Sequence, residues 1–370
     1  MDLKLWTEEL RQLVNVDCGT ATISGVAQVA ETLAALWKKE GWHCENVDLG
    51  AAVGPGLLVT NKLQSEHYDV LLIGHLDTVF PAGTVAQRPM SQDDARIYGP
   101  GTSDMKSGLL NILWAMRGMD KSDLQRLSIA VAMNPDEETG SVHSHRWLGD
   151  LAKRSRQVLV CEAARADGSL VNARKGLAGY ALTFTGVAAH AGNDPEKGRS
   201  AITALAHSIL AINALADAER GTTLNVGVVN GGDAANIVAP WASAVVDLRF
   251  WENSEDERVH RALLEMCEKG FMEGVTTTIT RLNHKPAMAI SAQTEALMRL
   301  VEQAGERENV KISWKAVGGG SDANYTAALG VPTLDGFGPI GAGFHSPAEY
   351  LEIASVEPRI RLLRRVVSML

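Results

Sequence analysis

Asp69 to Phe80 read DVLLIGHLDTVF. Val70 to Ile73 form an unbroken apolar run, the pattern of a strand buried on both faces of a parallel sheet. The run ends in Gly74, His75 and Asp77, and the spacing turns both ionisable groups to the same side of an extended chain. In open parallel sheets, ligands bind beyond the carboxyl ends of the strands. A hydrogen-bonded pair in a surface turn is the plainer reading of His75 and Asp77, and this stretch alone does not separate the two.

The pattern recurs along the chain. "GLLVTN", "LSIAVAMN" and "QVLVCEA" are further short apolar runs, and helical patterns at "MKSGLLNILWAMRGM" and "SVHSHRWLGDLAK" separate the later ones. Upstream, "MDLKLWTEELRQLV" reads as an amphipathic helix and "SGVAQVAETLAALWKKEGW" as a second helix closed by Gly41. Strands alternating with helices predict an α/β fold with a mostly parallel sheet. From Gly176 the order changes to strand "GYALTFTGVA", helix "RSAITALAHSILAINALADA", strands "TTLNVGVV" and "SAVVDLRFW", helix "EDERVHRALLEMCEKG" and strand "VTTTITRL". That β-α-β-β-α-β order is ferredoxin-like and complete in itself. After Pro286 the alternation resumes, with a helix from Thr294, strand "VKISWKAV", a helix after Ser321, strand "VPTLDG" and a last helix to Leu370. The expected organisation is an α/β domain of residues 1–175 and 287–370, with a ferredoxin-like domain inserted at 176–286.

Composition narrows the function classes. The 370 residues fit two domains, and 45% hydrophobic with 21% charged residues is ordinary for a globular protein. The net charge of −9 without a long basic run argues against nucleic acid as a partner. No apolar stretch approaches the roughly 20 residues that span a bilayer, so no membrane partner is expected. The acid-bearing N-terminal helix does not resemble a signal peptide. Cys18, Cys44, Cys161 and Cys267 are scattered without CxxC spacing, which suits the cytoplasm and no disulfide framework.

Acids gather where the predicted strands end. Glu137 and Glu138 follow "LSIAVAMN", and Glu162 follows "QVLV". Asp104 in "YGPGTSDMKSG" stands directly before a helical pattern, in N-cap position. His345 lies in the Gly-rich loop "GAGFHSPAEY". In a parallel sheet His75, Asp77, Glu137, Glu138 and Glu162 converge on one rim. Several carboxylates on a dry rim raise one another's pKa, and desolvation adds to the cost. Two divalent metal ions resolve this, and imidazoles mixed with carboxylates suit zinc, cobalt or manganese better than calcium or magnesium.

With these residues in view, "GHLDTVFP", "GPGTSDMKSG", "DEETGS", "CEA", "AAHAG", "GGGSDANY" and "FHSPAEY" together resemble the dinuclear zinc exopeptidases and deacylases, the M20-type family. The likeness runs nearly the whole chain in order and is strongest to its glutamate carboxypeptidases of the folate-cleaving type. The resemblance implies a zinc-exopeptidase-like catalytic domain, with the inserted domain serving as lid and dimerisation unit of a homodimer. It implies His75 and Glu162 on one metal, Glu138 and His345 on the other, and Asp104 bridging both across a cis peptide to Met105. Asp77 would accept from the second ring nitrogen of His75, and Glu137 would be the general base, its pKa set by partial burial in the cleft. His190 in "AAHAGNDPEKGRSA" would bind the tetrahedral oxyanion from the partner subunit. Asn236 and the backbone of Gly319 and Gly320 would line the substrate carboxylate. Where the glutamate carboxypeptidases place an arginine before a proline, this sequence has Lys285 before Pro286. Lysine lacks the bidentate fork that grips a carboxylate, which leaves the accepted side chain open, and Arg174 in "ARKG" is an alternative cation.

The expected function is metal-dependent hydrolysis of an amide or peptide bond, releasing a C-terminal amino acid from a small peptide or an N-acyl amino acid. The alternatives are an N-acyl-amino-acid deacylase and a catalytically inactive peptide-binding relative. An intact Glu137 beside all the implied metal ligands argues against the latter. A metal-dependent aminopeptidase would need an acid to hold a free α-amine, and the sequence offers no obvious candidate. His143 and His145, two apart on a predicted helix, do not face each other and read as solvated. Cys161 reads as an inert small hydrophobe in a buried strand. "GPG" at 99–101 and "GGG" at 318–320 fit neither GxGxxG nor a P-loop, so no nucleotide site is expected.

Overall fold

The apolar run after Asp69 becomes the strand Val70–His75, every residue of which is buried. Ile129–Asn134 is equally buried beside it. In this computed structural model, which describes residues 1–63 and 65–370, contacts divide the chain into two units.

The first unit comprises Met1–Ala173, Ile290–Val317 and Ser321–Leu370. Its six-stranded sheet runs in the order His43–Val47, Gly56–Thr60, Ile129–Asn134, Val70–His75, Val158–Val160 and Thr333–Leu334. The last four are mutually parallel, while Gly56–Thr60 is antiparallel to both its neighbours. Register matters for function. His75 pairs with Asn134, and Ile73 with Val160, so the segments carrying Asp77, Glu137, Glu138 and Glu162 leave the sheet at one end.

Helix Ser107–Arg117 is buried from Ser107 to Met116, which explains why it is apolar on every face. Two glycines allow it to press onto the sheet. A Cβ on Gly74 would stand 2.6 Å from side-chain carbons of Met105 and Leu109, and one on Gly108 would stand 2.1 Å from the Cys161 carbonyl oxygen. Helices Leu3–Val14 and Ile23–Lys39 add Trp6, Leu10, Leu33 and Trp37 to the same core. The Asp2 side chain caps the first helix by accepting from the Leu5 N–H at 3.0 Å.

Several strands depart from the sequence pattern, among them Leu170–Arg174, Arg96–Tyr98 and Tyr350–Glu352, which no apolar run announces. His43–Val47 adds an edge strand that no apolar run announces, because it lies at the sheet margin with a largely exposed pattern. The apolar segment at 310–317 forms a strand only over Trp314–Val317, which joins a separate two-stranded sheet.

The second unit comprises Arg174–Ala289 with Gly318–Gly320. Its four-stranded antiparallel sheet has the order Thr223–Gly231, Trp241–Phe250, Gly176–Thr185 and Thr276–Lys285. With helices Ala201–Asn213 and Asn253–Lys269, this is the ferredoxin-like β-α-β-β-α-β arrangement. It has its own core, including Tyr180, Leu182, Phe184, Val246, Leu248, Phe250 and Leu263. The unit begins at Arg174 because the main-chain N–H and carbonyl of Arg174 both pair with Met288, at 3.1 and 3.0 Å.

Candidate metal centre

His75 is the last residue of its strand, and its side chain is only 1% exposed. Its Nδ1 lies 3.0 Å from the main-chain carbonyl of Asp77. A carbonyl only accepts, so Nδ1 carries the proton and Nε2 is left for ligation. Nε2 stands 3.1 Å from Asp104 Oδ1 and 3.6 Å from Glu162 Oε1.

The Asp77 carboxylate sits at the longer distance of 3.4 Å from His75 Nδ1, so the main chain of Asp77 makes the closer contact. The carboxylate, fully buried, accepts from Thr20 Oγ1 at 2.5 Å and from the N–H groups of Glu137 and Glu138 at 3.2 and 3.3 Å. Asp77 therefore joins the His75 strand end to the turn that bears both glutamates.

Asp104 is not the helix N-cap that its place before the helical pattern suggests. The helix proper begins at Ser107, with Lys106 in the cap position and no side-chain cap bond. Asp104 itself is non-helical (φ −117°, ψ 91°), and its peptide to Met105 is cis. The side chain has other partners than helix N–H groups. Oδ1 faces His75 Nε2, and Oδ2 faces His345 Nε2 at 3.2 Å. Lys106 is buried and donates to the carbonyls of Val16 and Pro100 at 3.1 and 3.3 Å.

Glu137 and Glu138 occupy the short turn Glu137–Thr139, which ends in Gly140 and Ser141, both at positive φ. Ser141 Oγ donates to Asp322 Oδ1, and Tyr325 OH donates to the Gly140 carbonyl. Asp136 closes the turn from below, accepting from the His143 N–H and Ser144 Oγ. His345, at φ +60°, brings its Nε2 within 3.1 Å of Glu138 Oε2. Two donor groups result, His75–Asp104–Glu162 and Asp104–Glu138–His345, each with its ligand atoms within 4.8 Å of one another. They share Asp104.

The electrostatics favour cations. Burial raises the carboxyls of Glu138 and Glu162 above their ordinary range. Burial also lifts Glu349, which faces Asp104, to about 7. Asp104 behaves oppositely, because hydrogen bonds and charge from His345 and His75 outweigh its own burial and hold it low. His345 is pushed up to about 10 by its bonds to Asp104 and Glu138. Burial opposes a charged His75, yet Glu162, Asp104 and Asp77 prevail and raise it well above its ordinary value. Two imidazoles are thus drawn toward the cationic form by crowded carboxylates. Divalent ions in their place would neutralise the same acids while releasing those protons. Imidazole nitrogens with carboxylate oxygens, one carboxylate shared, fit a pair of divalent metal ions.

The remaining sequence candidates lie in the second unit. His190 is exposed, and its Nδ1 accepts from the N–H groups of Gly192 and Asn193, both at 3.1 Å. The neutral ring then carries its proton on Nε2, as an outward donor. The Asn236 carbonyl accepts from the Ala191 N–H at 2.9 Å, tying the two loops together, and its side chain is exposed. Arg174 is buried and donates from Nη1 to the Gly319 carbonyl at 2.9 Å, fixing the loop that ends at Gly320. Lys285 ends the Thr276–Lys285 strand, buried opposite Leu177.

Residues that sequence reasoning passed over support the centre from behind. Glu349, Asp322 and Tyr325 sit in the quoted "SPAEY" and "GGGSDANY" segments, but nothing in a lone acid or tyrosine announces a distant partner. Of the groups set aside, His145 begins its helix with Nδ1 2.9 Å from the Ser141 carbonyl. Burial pushes the Cys161 thiol well above its ordinary range, as befits an unreactive cysteine. Among the described residues, no helix is long and apolar enough to cross a membrane.

Comparison with known proteins gives the family and the fold. The sequence profile of Peptidase family M20/M25/M40 matches residues 71–369. Carboxypeptidase G2 of Pseudomonas sp. (strain RS-16) is 28% identical over 366 residues, covering 97% of this chain and 87% of that protein. Acetylornithine deacetylase of Proteus mirabilis is also 28% identical, over 394 residues, covering 99% and 97%. The fold matches that of aminopeptidase PepT from Bacillus cereus with a TM-score of 0.80 at 22% identity, over 100% of this chain and 98% of that one. An M20 family metallo-carboxypeptidase from Sulfolobus solfataricus matches with a TM-score of 0.74 at 17% identity, over 100% and 99%. Matched from residue 71 to residue 369, this chain is a metallo-hydrolase that belongs to Peptidase family M20/M25/M40.

Proposed function

We propose that this chain is a carboxypeptidase-type amidohydrolase, releasing a C-terminal amino acid from a small peptide or N-acyl amino acid. The observation that carries the reading is the pair of donor groups sharing Asp104, with Glu137 adjacent in the chain to the ligand Glu138. Two divalent ions held by those groups, zinc or alternatively cobalt or manganese, would polarise the scissile carbonyl and lower the pKa of water to near neutrality. Glu137 then acts as general base. It takes the proton of the water whose oxygen bonds to the carbonyl carbon, and delivers it to the nitrogen as the C–N bond breaks. Asp77 holds the Glu137 turn and the His75 strand end in register for this. His190, with Nδ1 occupied by two backbone donors, offers Nε2–H to the developing oxyanion. Asn236, Gly319, Gly320 and a cation, Lys285 or Arg174, receive the substrate carboxylate.

A deacylase acting on N-acyl amino acids is the second reading, favoured by the equal identity to acetylornithine deacetylase. Both share the mechanism and differ in which half of the amide the protein recognises. A homodimer through the second unit is supported by its edge strand Thr223–Gly231, where Val228 and Val229 are each 51% exposed. A cytoplasmic setting is supported by four cysteines that are all free.

The test is a panel of N-acyl amino acids and dipeptides, each with a free or an amidated C-terminus. The protein is first stripped by a chelator and then supplied with zinc, cobalt or manganese. Hydrolysis that needs both the added metal and a free carboxylate is the expected result. Turnover without metal would overturn the mechanism, and indifference to the carboxylate would overturn the carboxypeptidase assignment.

A further inference from the structure

Glu349 is 1% exposed and belongs to neither donor group, yet it borders both. Its carboxylate is fully engaged by main-chain donors. Oε1 accepts from the N–H of Ser103 at 2.8 Å and of Asp104 at 3.0 Å, and Oε2 accepts from the N–H of Gly101 at 3.0 Å. These donors lie on the irregular stretch just before helix Ser107–Arg117, where Asp104 and Met105 leave helical geometry. Buried N–H groups outside regular structure must find an acceptor, and one side chain supplies it for three of them.

The backbone delivers Glu349 to that point. Strand Tyr350–Glu352 pairs antiparallel with Arg96–Tyr98, Tyr350 opposite Tyr98. The residue before the first strand therefore meets the segment after the second, which is Gly99–Asp104. Four residues upstream of Glu349, on the same loop, is His345, whose Nε2 contacts Asp104 Oδ2 at 3.2 Å. Both oxygens of Glu349 are occupied by backbone donors, so its part is to aim the Asp104 main chain and keep the His345 loop in register with it.

We infer that Glu349 is the positioning residue of the shared aspartate, setting Asp104 between the two metal positions through its backbone. The inference rests on the two-metal reading above. Because Asp104 serves both donor groups, loosening it weakens both positions together, whereas loss of Glu138 or Glu162 weakens one.

The test is a cobalt titration of metal-free protein, followed by the visible ligand-field absorption of Co²⁺ and by calorimetry, with the melting temperature of the metal-free protein measured in parallel. Glu349→Gln keeps the shape but offers a single acceptor oxygen and turns an NH2 toward an N–H. Glu349→Asp keeps the charge and shortens the reach by one methylene. The expected result is two Co²⁺ per unaltered chain. In Glu349→Gln both affinities fall about 10- to 100-fold with an altered absorption band, and Glu349→Asp lies between. Unchanged cobalt affinity and spectrum in Glu349→Gln, whatever its melting temperature, would reduce Glu349 to a structural residue and overturn the inference. Selective loss of a single ion would also overturn it, since Asp104 would then not be the group displaced. Failure of the unaltered chain to take up two ions overturns the metal reading itself, which is a distinguishable outcome.

Discussion

The Asp77 carboxylate accepts from the main-chain N–H of Glu137 at 3.2 Å, although the two residues belong to different strand ends. Through Glu138 N–H and Thr20 Oγ1 the same carboxylate gathers two more donors. Asp77→Asn would replace one accepting oxygen by an NH2 facing these donors, and the turn would shift relative to His75. Turnover should fall about 10- to 100-fold, accompanied by weaker metal retention. Steady-state kinetics at saturating metal, with elemental analysis after gel filtration, separates the two effects. Unchanged kinetics and metal content would show that the turn holds its place without Asp77.

The neighbouring glutamates should respond differently to the same change. Glu138 Oε2 contacts His345 Nε2 at 3.1 Å within a donor group, and Glu137 is in neither group. Glu137→Gln removes the proposed base and should lower kcat by about 10²- to 10⁴-fold with metal content intact. Glu138→Gln should reduce bound metal toward one ion per chain. Metal loss from the first variant and retention by the second would reverse the assignment.

The contrast between these residues and Asp104 shows where sequence legibility ends. Val70–His75 and Ile129–Asn134 are buried on both faces, so their apolar runs announce a central parallel sheet. Once the sheet is parallel, acids just past strand ends must share a rim. That reasoning uses only local pattern and one topological rule. The exposed edge strand His43–Val47, HCENV, has no such pattern because the sheet margin does not demand one. Asp104 looks like an N-cap because an acid before a helical pattern usually is one. What draws it out of that role is tertiary. Its N–H is claimed by Glu349, 245 residues later in the chain, and its oxygens by two imidazoles. Nothing within "TSDMK" encodes those partners.

In the second unit, Glu255 gives a pH signature independent of the metal centre. It is fully buried in the first turn of its helix. Hydrogen bonds from Arg258, then Thr222 and Arg220, outweigh its burial and hold the carboxyl at about 2, against an ordinary 4.5. A carboxyl lowered on folding stabilises the protein above its unfolded value, and the benefit disappears as pH falls through the folded one. Glu255→Gln should therefore cost on the order of 2 kcal/mol at pH 7. The gap from the unaltered chain should close between about 4.5 and about 2. Denaturant titrations across that range check this. The two proteins share every other acid-labile group, so a pH-independent gap would mean that Glu255 acts through packing alone.

His190 gives a direct test of the proposed oxyanion donor. Gly192 and Asn193 donate to its Nδ1, both at 3.1 Å, and this fixes Nε2 as the donor. A developing oxyanion would be a suitable acceptor for it. His190→Ala should accordingly lower kcat with little change in metal content. If the donor serves the partner's centre in a homodimer, one working site combines Glu137 of one chain with His190 of the other. Glu137→Gln and His190→Ala chains, each nearly inactive alone, can then be co-expressed and the mixed dimers purified with two different tags. Each mixed dimer has one site with both lesions and one with neither. Under random pairing about half the dimers are mixed, so about a quarter of all sites are intact. Activity of mixed dimers should approach half that of the unaltered protein. If His190 serves its own chain, every site keeps a lesion and purified mixed dimers stay inactive, which would rule out the exchange across the dimer.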